Sequence, residues 1–201
     1  MTTGALQRAI RQASSRARET HHCDLCQQPV PAEHRHLLDT ADSVVLCTCQ
    51  VCSLLFNLSA ASDGHYRLVP DRRVPLHDID AARLGVPVGL AFFVVQADSS
   101  VLAHYPSPAG ATRWQIEPQA WRDVAAGCAN LGGLADQVEA LLVNTTGHRR
   151  EAWIVPLDDC YRLVAIVRRE WKGITGGDRV GHEIGEFFDE LWRQYGRYPG
   201  R

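Results

Sequence analysis

Two Cys-x2-Cys pairs, Cys23 with Cys26 and Cys49 with Cys52, constrain this chain more than any other feature. Twenty-two residues separate Cys26 from Cys49. Each pair can close a tight knuckle whose two sulfurs point at one ion. The backbone N–H groups of such turns donate to the sulfurs and spread their negative charge. If a hairpin joins the knuckles, four thiolates meet, and at about 2.3 Å they complete the tetrahedral shell of Zn2+. A closed shell leaves no position for water, so an ion held this way is structural. The segment between the pairs is only slightly longer than the usual ribbon template. The expected metal ligands are therefore Cys23, Cys26, Cys49 and Cys52.

Iron is the rival metal, because softness alone does not separate it from zinc at four thiolates. Rubredoxin-like knuckles generally carry a glycine just after the second cysteine. Here Gln27 follows Cys26 and Ser53 follows Cys52, which favours zinc. Cys47 lies two residues before Cys49 and reads as a strand cysteine beside the site, or as a spare thiol able to exchange with a ligand. His34 and His36 fall inside the same loop, and strand alternation puts both on one face. They read either as histidines offsetting the anionic cluster or as part of a metal-dependent nuclease site. The second reading needs a basic nucleic-acid-facing surface that the sequence does not display. His21 and His22 stand beside the first pair.

Seven cysteines do not form a fully paired disulfide framework, and five of them fall between Cys23 and Cys52. The arginine-bearing N-terminus has no apolar core of the secretory type, and no run reaches the roughly 18 apolar residues of a spanning helix. A reducing, cytoplasmic setting is expected. With a net charge of −2 and no broad basic stretch, no nucleic-acid partner is expected. The 201 residues, 45% hydrophobic, suffice for a small module plus one larger domain.

The expected fold class is α+β. Residues 1–20 read as an N-terminal helix or arm, with an alanine-rich stripe over 5–19. Residues 21–60 read as a four-cysteine zinc-ribbon-like module with short strands at 34–39 and 43–46, and the small, polar residues 59–64 as a linker. Residues 61–201 read as an α+β domain with a mainly antiparallel sheet. Within it, 66–69 is a strand candidate. Residues 88–96 and 101–105 flank Ala97-Asp-Ser-Ser100, which is hairpin turn material. Arg113–Ile116 adds a third strand. Pro118 sits where a helix starts, and Gln119–Asn130 continues it to Gly132-Gly133. Further strands are expected at 138–143 and 152–155. Cys160–Trp171 fits a helical stripe with Asp158 or Asp159 as its cap, although its alternation also fits a strand. An amphipathic helix closes the chain, with Val180, Ile184, Phe187, Phe188, Leu191 and Tyr195 on one stripe.

Other chemistry is weakly signalled. Phosphate-cradling glycine motifs and a Gly-x-Ser-x-Gly elbow are absent from the sequence. Tyr105-Pro-Ser-Pro-Ala-Gly110 reads as a strand connection, or else as a rigid docking loop. Cys160 has acidic neighbours, which work against a thiolate, so it reads as a core cysteine. A thiol oxidoreductase using Cys47 or Cys49 is a further possibility, but no acid–base constellation accompanies either residue.

Several stretches together carry a family resemblance. They are Cys23-Asp-Leu-Cys26, His34-Arg-His-Leu-Leu-Asp39, Cys47-Thr-Cys-Gln-Val-Cys52, Val86-Pro-Val-Gly-Leu-Ala-Phe-Phe93, Tyr105 to Thr112, Cys160-Tyr-Arg-Leu-Val164, Trp171 to Gly177, and Phe187-Phe188. From about residue 20 to 195 the chain resembles an uncharacterised zinc-ribbon-bearing family typically encoded in high-affinity uptake nickel–iron hydrogenase gene clusters. It departs from that pattern at Gly181-His182, where a tryptophan is expected. The resemblance implies a non-enzymatic accessory role. Its partner would be a hydrogenase subunit or maturation factor, with a rubredoxin-like iron carrier serving a hydrogenase as the alternative.

Overall fold

The computed structural model describes residues 21–56, 65–85, 89–172 and 177–196. The helix expected over 5–19 and the linker expected at 59–64 lie outside the described residues. The chain divides into two compact units, Met1–Leu68 and Val69–Arg201. Mainly antiparallel sheets with flanking helices make it α+β, as expected.

The first unit is a three-stranded antiparallel sheet in the order β2-β1-β3. Strands β1 (Arg35–Asp39) and β2 (Val44–Thr48) form the expected hairpin, with Arg35 opposite Thr48 and His36 opposite Cys47. Ser43, at φ 56°, takes the left-handed turn position before β2. A short helix, α1 (Gln50–Leu54), follows β2 directly. Strand β3 (Tyr66–Leu68) pairs with the other edge of β1, setting Leu37 opposite Leu68. Leu37 and Leu38 are consecutive and both buried, so this small sheet is covered on both faces.

The second unit is a six-stranded antiparallel sheet in the order β4-β9-β8-β5-β6-β7. Its strands are β4 (Val74–Leu76), β5 (Leu90–Val95), β6 (Val101–Ser107), β7 (Gly110–Gln115), β8 (Glu139–Asn144) and β9 (Glu151–Pro156). Strand β5 and the Ala140–Val143 stretch of β8 are continuous apolar runs because both faces are buried. On one face Ala91, Phe93, Ala103, Leu141 and Ile154 pack with Val124 of helix α2 (Pro118–Ala126) and Leu131 of a 3-10 turn. Phe92, Leu142 and Trp153 lie in register on the opposite face and are fully buried. There helix α3 (Leu157–Glu170) crosses β6 to β9 and packs against α4 (Gly177–Tyr195). Trp153 meets Trp192 of α4 edge-on, with ring centroids 4.7 Å apart. Such aromatic pairs add about 1 kcal/mol to the area they bury.

Several boundaries differ from the sequence expectation, each for a local reason. Segment 157–170 is a helix, but Pro156 stands at its N-cap, and Asp158 and Asp159 fall in its first turn. Both carboxylates lie where the helix dipole favours negative charge. Helix α2 ends at Gly127, and the chain tightens into a 3-10 turn over Ala129–Gly133. The Tyr105–Gly110 segment is the strand connection: β6 runs through Pro106 to Ser107, and Pro108-Ala109 turns the chain into β7. The edge strand β4 and the 3-10 turn Ala81–Leu84 had no clear signal, since each spans a turn or less.

His104 lies flat against Phe92, with centroids 4.7 Å apart and rings within 6° of parallel. Burial, with Arg113 nearby, pulls its pKa down to about 4. A histidine kept neutral in the fold but not in the unfolded chain makes folding release protons at mildly acidic pH. Stability therefore falls as pH drops from about 7 towards 4, by up to about 3 kcal/mol. In urea titrations across that range, His104→Phe is expected to give a shallower pH dependence than the wild-type chain. Identical slopes would show that His104 does not contribute.

Candidate metal centre

The Cys23–Cys26 knuckle is closed by backbone bonds. The Gln27 amide donates to the Cys23 carbonyl at 2.8 Å, and the Cys23 amide to the Gln28 carbonyl at 2.8 Å. Gln27 takes φ 62°, the left-handed position where glycine is at ease. The chain accepts that conformation without glycine at a cost of about 1 kcal/mol. Asp24 then ties the knuckle to β2: its amide donates to the Cys47 carbonyl at 2.9 Å, and its Oδ2 accepts from the Cys47 amide at 2.6 Å.

The second pair is built differently. Cys49 is the N-cap of α1, and its Sγ accepts from the Cys52 amide at 3.4 Å. Cys52 lies within the helix, one turn on. The two pairs are therefore a loop knuckle and a helix start joined by a β-hairpin, rather than twin knuckles.

These elements bring the sulfurs of Cys23, Cys26, Cys49 and Cys52 within 4.8 Å of one another, a group that could hold a metal ion. Cys26 Sγ and Cys49 Sγ are 3.8 Å apart. Four sulfurs at about 2.3 Å from a tetrahedral ion lie about 3.8 Å from each other, so the donor set fits such an ion. Cys23 is fully buried and Cys26 exposed, which places the cluster at the rim of the small core.

The electrostatics of the cluster call for a cation. Burial pushes the Cys23 thiol up, but the amides of Cys49, Cys26 and Leu25 outweigh it and bring the pKa down to about 6. Cys52, crowded by Cys49 and Cys26, is pushed up to about 12. Cys26 is raised too: the Gln28 amide acts to lower it, but Cys23, burial and Cys49 together outweigh that amide. Like charges at this range cannot all ionise. A divalent ion reverses that balance and lets four thiolates coexist.

Cys47 does not join the four sulfurs. Thr48 points to the Cys23 side, its Oγ1 3.8 Å from Cys23 Sγ, and alternation turns Cys47 to the other face of the sheet. On that face, one ring nitrogen of His34, one of His36 and the Cys47 sulfur lie within 4.8 Å of one another. The His34 and His36 rings are 4.6 Å apart, and the His21 ring lies tilted beside His34 at 5.4 Å. The same-face placement of the two histidines follows from alternation. The addition of Cys47 depends on hairpin register.

The second unit offers less chemistry. Cys160 is fully buried, and burial together with Asp159 and Asp158 pushes its thiol well up, as befits a core cysteine. An open pocket is lined by Ile79, Ala81, Phe93 and Val143, with Asp80 and Arg150 among its polar groups. Asp80 pairs with Arg83, and Arg150 donates to the carbonyls of Thr145 and Arg149. Among the described residues, no helix is long and apolar enough to cross a membrane.

A family model described as a family of unknown function (DUF5947) matches residues 22–195. No curated protein and no solved structure matches the chain.

Proposed function

The chain belongs to this family of unknown function, and we propose that it is a non-enzymatic accessory protein organised around one structural Zn2+. The ligands are Cys23, Cys26, Cys49 and Cys52, in a zinc-ribbon-like module whose second pair opens a helix. The observation that carries this reading is the 3.8 Å separation of Cys26 Sγ and Cys49 Sγ, the edge of a tetrahedral thiolate shell. Four protein ligands close the shell, so the ion acts on folding rather than on a substrate. The thiols have to stay reduced, which suits the cytoplasm.

The partner is a nickel–iron hydrogenase subunit or maturation factor. This part of the reading rests on the resemblance of the stretches Cys23–Cys26, His34–Asp39, Cys47–Cys52, Val86–Phe93, Tyr105–Thr112, Cys160–Val164, Trp171–Gly177 and Phe187-Phe188 to a hydrogenase-associated family. Helix α1 and its C-cap support a protein contact, because they leave Val51, Leu54 and Leu55 exposed close together in sequence.

Elemental analysis and an absorption spectrum test the metal, on protein purified without added metal. One tightly held zinc per chain with no visible absorbance is expected, any ion at a weaker, exchangeable position being lost on purification. One iron per chain, with visible bands that bleach on reduction, would replace this reading with an electron carrier. Affinity capture from a hydrogenase-producing cell tests the partner. Enrichment of a hydrogenase subunit or maturation factor by the wild-type chain, lost in Cys26→Ser, is expected. Equal recovery of hydrogenase proteins with and without the bait would overturn the assignment.

A further inference from the structure

We propose a second metal site on the opposite face of the β1–β2 hairpin, formed by His34, His36 and Cys47. It shares no ligand with the four-cysteine cluster and stands on separate observations. The first is geometric. His36 and Cys47 are directly opposed across the two strands, and His34 lies two residues before His36 on the same face. Their donor atoms already lie within 4.8 Å of one another.

The second observation concerns His34. Its Nδ1 lies 2.8 Å from the Pro31 carbonyl, which can only accept, so Nδ1 carries the proton. In the neutral ring, the form that ligates a metal, the lone pair is then on Nε2. That atom is buried, with no hydrogen-bond partner among the described residues. A buried acceptor left unsatisfied costs about 1–3 kcal/mol and calls for an explanation. A ligating histidine that donates its other N–H to a backbone carbonyl is the usual arrangement around a bound metal.

The third observation is the anchoring of Cys47. Paired bonds to Asp24 hold its backbone on both sides, at 2.6 and 2.9 Å. The thiol is thereby held against the histidines and away from the four sulfurs.

Two imidazoles and one thiolate suit a borderline first-row divalent ion such as Zn2+, Co2+ or Ni2+. Binding releases the Cys47 thiol proton to solvent, while the Nδ1–H bond to Pro31 leaves Nε2 as the His34 nitrogen that ligates. Three protein ligands leave a fourth tetrahedral position for water or an incoming ligand. This site is therefore open and exchangeable, in contrast to the closed four-cysteine shell.

The test is a titration of the metal-free full chain with Co2+ under reducing conditions, read by the ligand-field and thiolate charge-transfer bands. The wild-type chain is expected to take two equivalents. His36→Gln and Cys47→Ser are each expected to take one and to keep the four-thiolate spectrum, which also reports that the module has folded. A wild-type chain saturating at one equivalent, or variants that still take two, would overturn the site. A mutation-free measurement accompanies it: histidine 15N spectra of the wild-type chain titrated with Zn2+. The second equivalent is expected to shift the His34 Nε2 resonance, and a resonance unmoved between the first and the second equivalent would likewise refute the proposal. Cys26→Ser is expected to lose both equivalents, because the hairpin that carries this site folds around the four-thiolate ion. Failure of the four-cysteine site would show as a wild-type titration without the four-thiolate spectrum, and failure of this site as a four-thiolate spectrum that saturates at one equivalent.

Discussion

Cys49→Ser, or removal of metal by a chelator, is expected to unfold the first unit while leaving the second folded. Among the described residues, the apolar core of the small sheet consists of little more than Val30, Leu37 and Leu38, packed around buried Cys23 and Thr48. So few buried side chains do not offset the ordering entropy of the segment. A structural zinc ion contributes on the order of 10 kcal/mol to modules of this size. Cys49 has two roles in that balance, as a ligand candidate and as the N-cap of α1, so its loss removes both contributions. Hydrogen-exchange mass spectrometry checks the outcome. Protection over β1 and β2 is expected to collapse to that of an unfolded chain, while β5, β8 and β9 keep theirs. Protection of β1 and β2 that survives complete metal removal would show that the module folds without an ion.

The second large effect is expected from Asp159→Ala, at about 3–5 kcal/mol of lost stability. Arg73 lies just before β4, and its Nε donates to Asp159 Oδ2 at 2.6 Å in the first turn of α3. The guanidinium also pairs with Asp71 and lies over the Tyr195 ring, 5.0 Å from its centre. Asp159 is almost fully buried. Burial pushes its carboxyl up, and Arg73 acts against that shift. Truncating the acid leaves a largely buried guanidinium without its main partner, and this uncompensated charge accounts for most of the loss. Urea unfolding of the zinc-loaded chain measures it. The double variant Arg73→Met with Asp159→Leu is expected to recover much of the stability, because a matched apolar pair avoids both desolvation costs. A loss below about 1 kcal/mol for Asp159→Ala would mean that water reaches Arg73 and replaces the carboxylate.

The same residue shows where reading the sequence stops. Asp159 beside Asp158 reads as a helix cap, and the helix is indeed there. Asp159 lies eighty-six positions along the chain from its partner Arg73, and no local pattern links them. Arg72 is similar: it clasps buried Glu139 through Nε and Nη2 at 2.8 and 2.7 Å across sixty-seven residues. Together these two arginines hold the entry to β4, a three-residue edge strand too short to signal itself. By contrast, β5, β6, β8 and α4 follow directly from apolar runs and from the helical stripe, since each buries a face whose period is written locally.

At the metal centre the division is sharper. The spacing of Cys23, Cys26, Cys49 and Cys52 by itself determined that four sulfurs could meet, because a two-residue gap leaves each pair few ways to turn. Only the tertiary structure decided that the second pair would open a helix, that Tyr66–Leu68 would pair with β1, and that Cys47 would turn away from the other cysteines towards His34 and His36. The physical reason is register. Alternation fixes which residues share a face within one strand, but which face of β2 lies beside which face of β1 is set by the turn at Thr40–Ser43 and by the Asp24 clamp on Cys47.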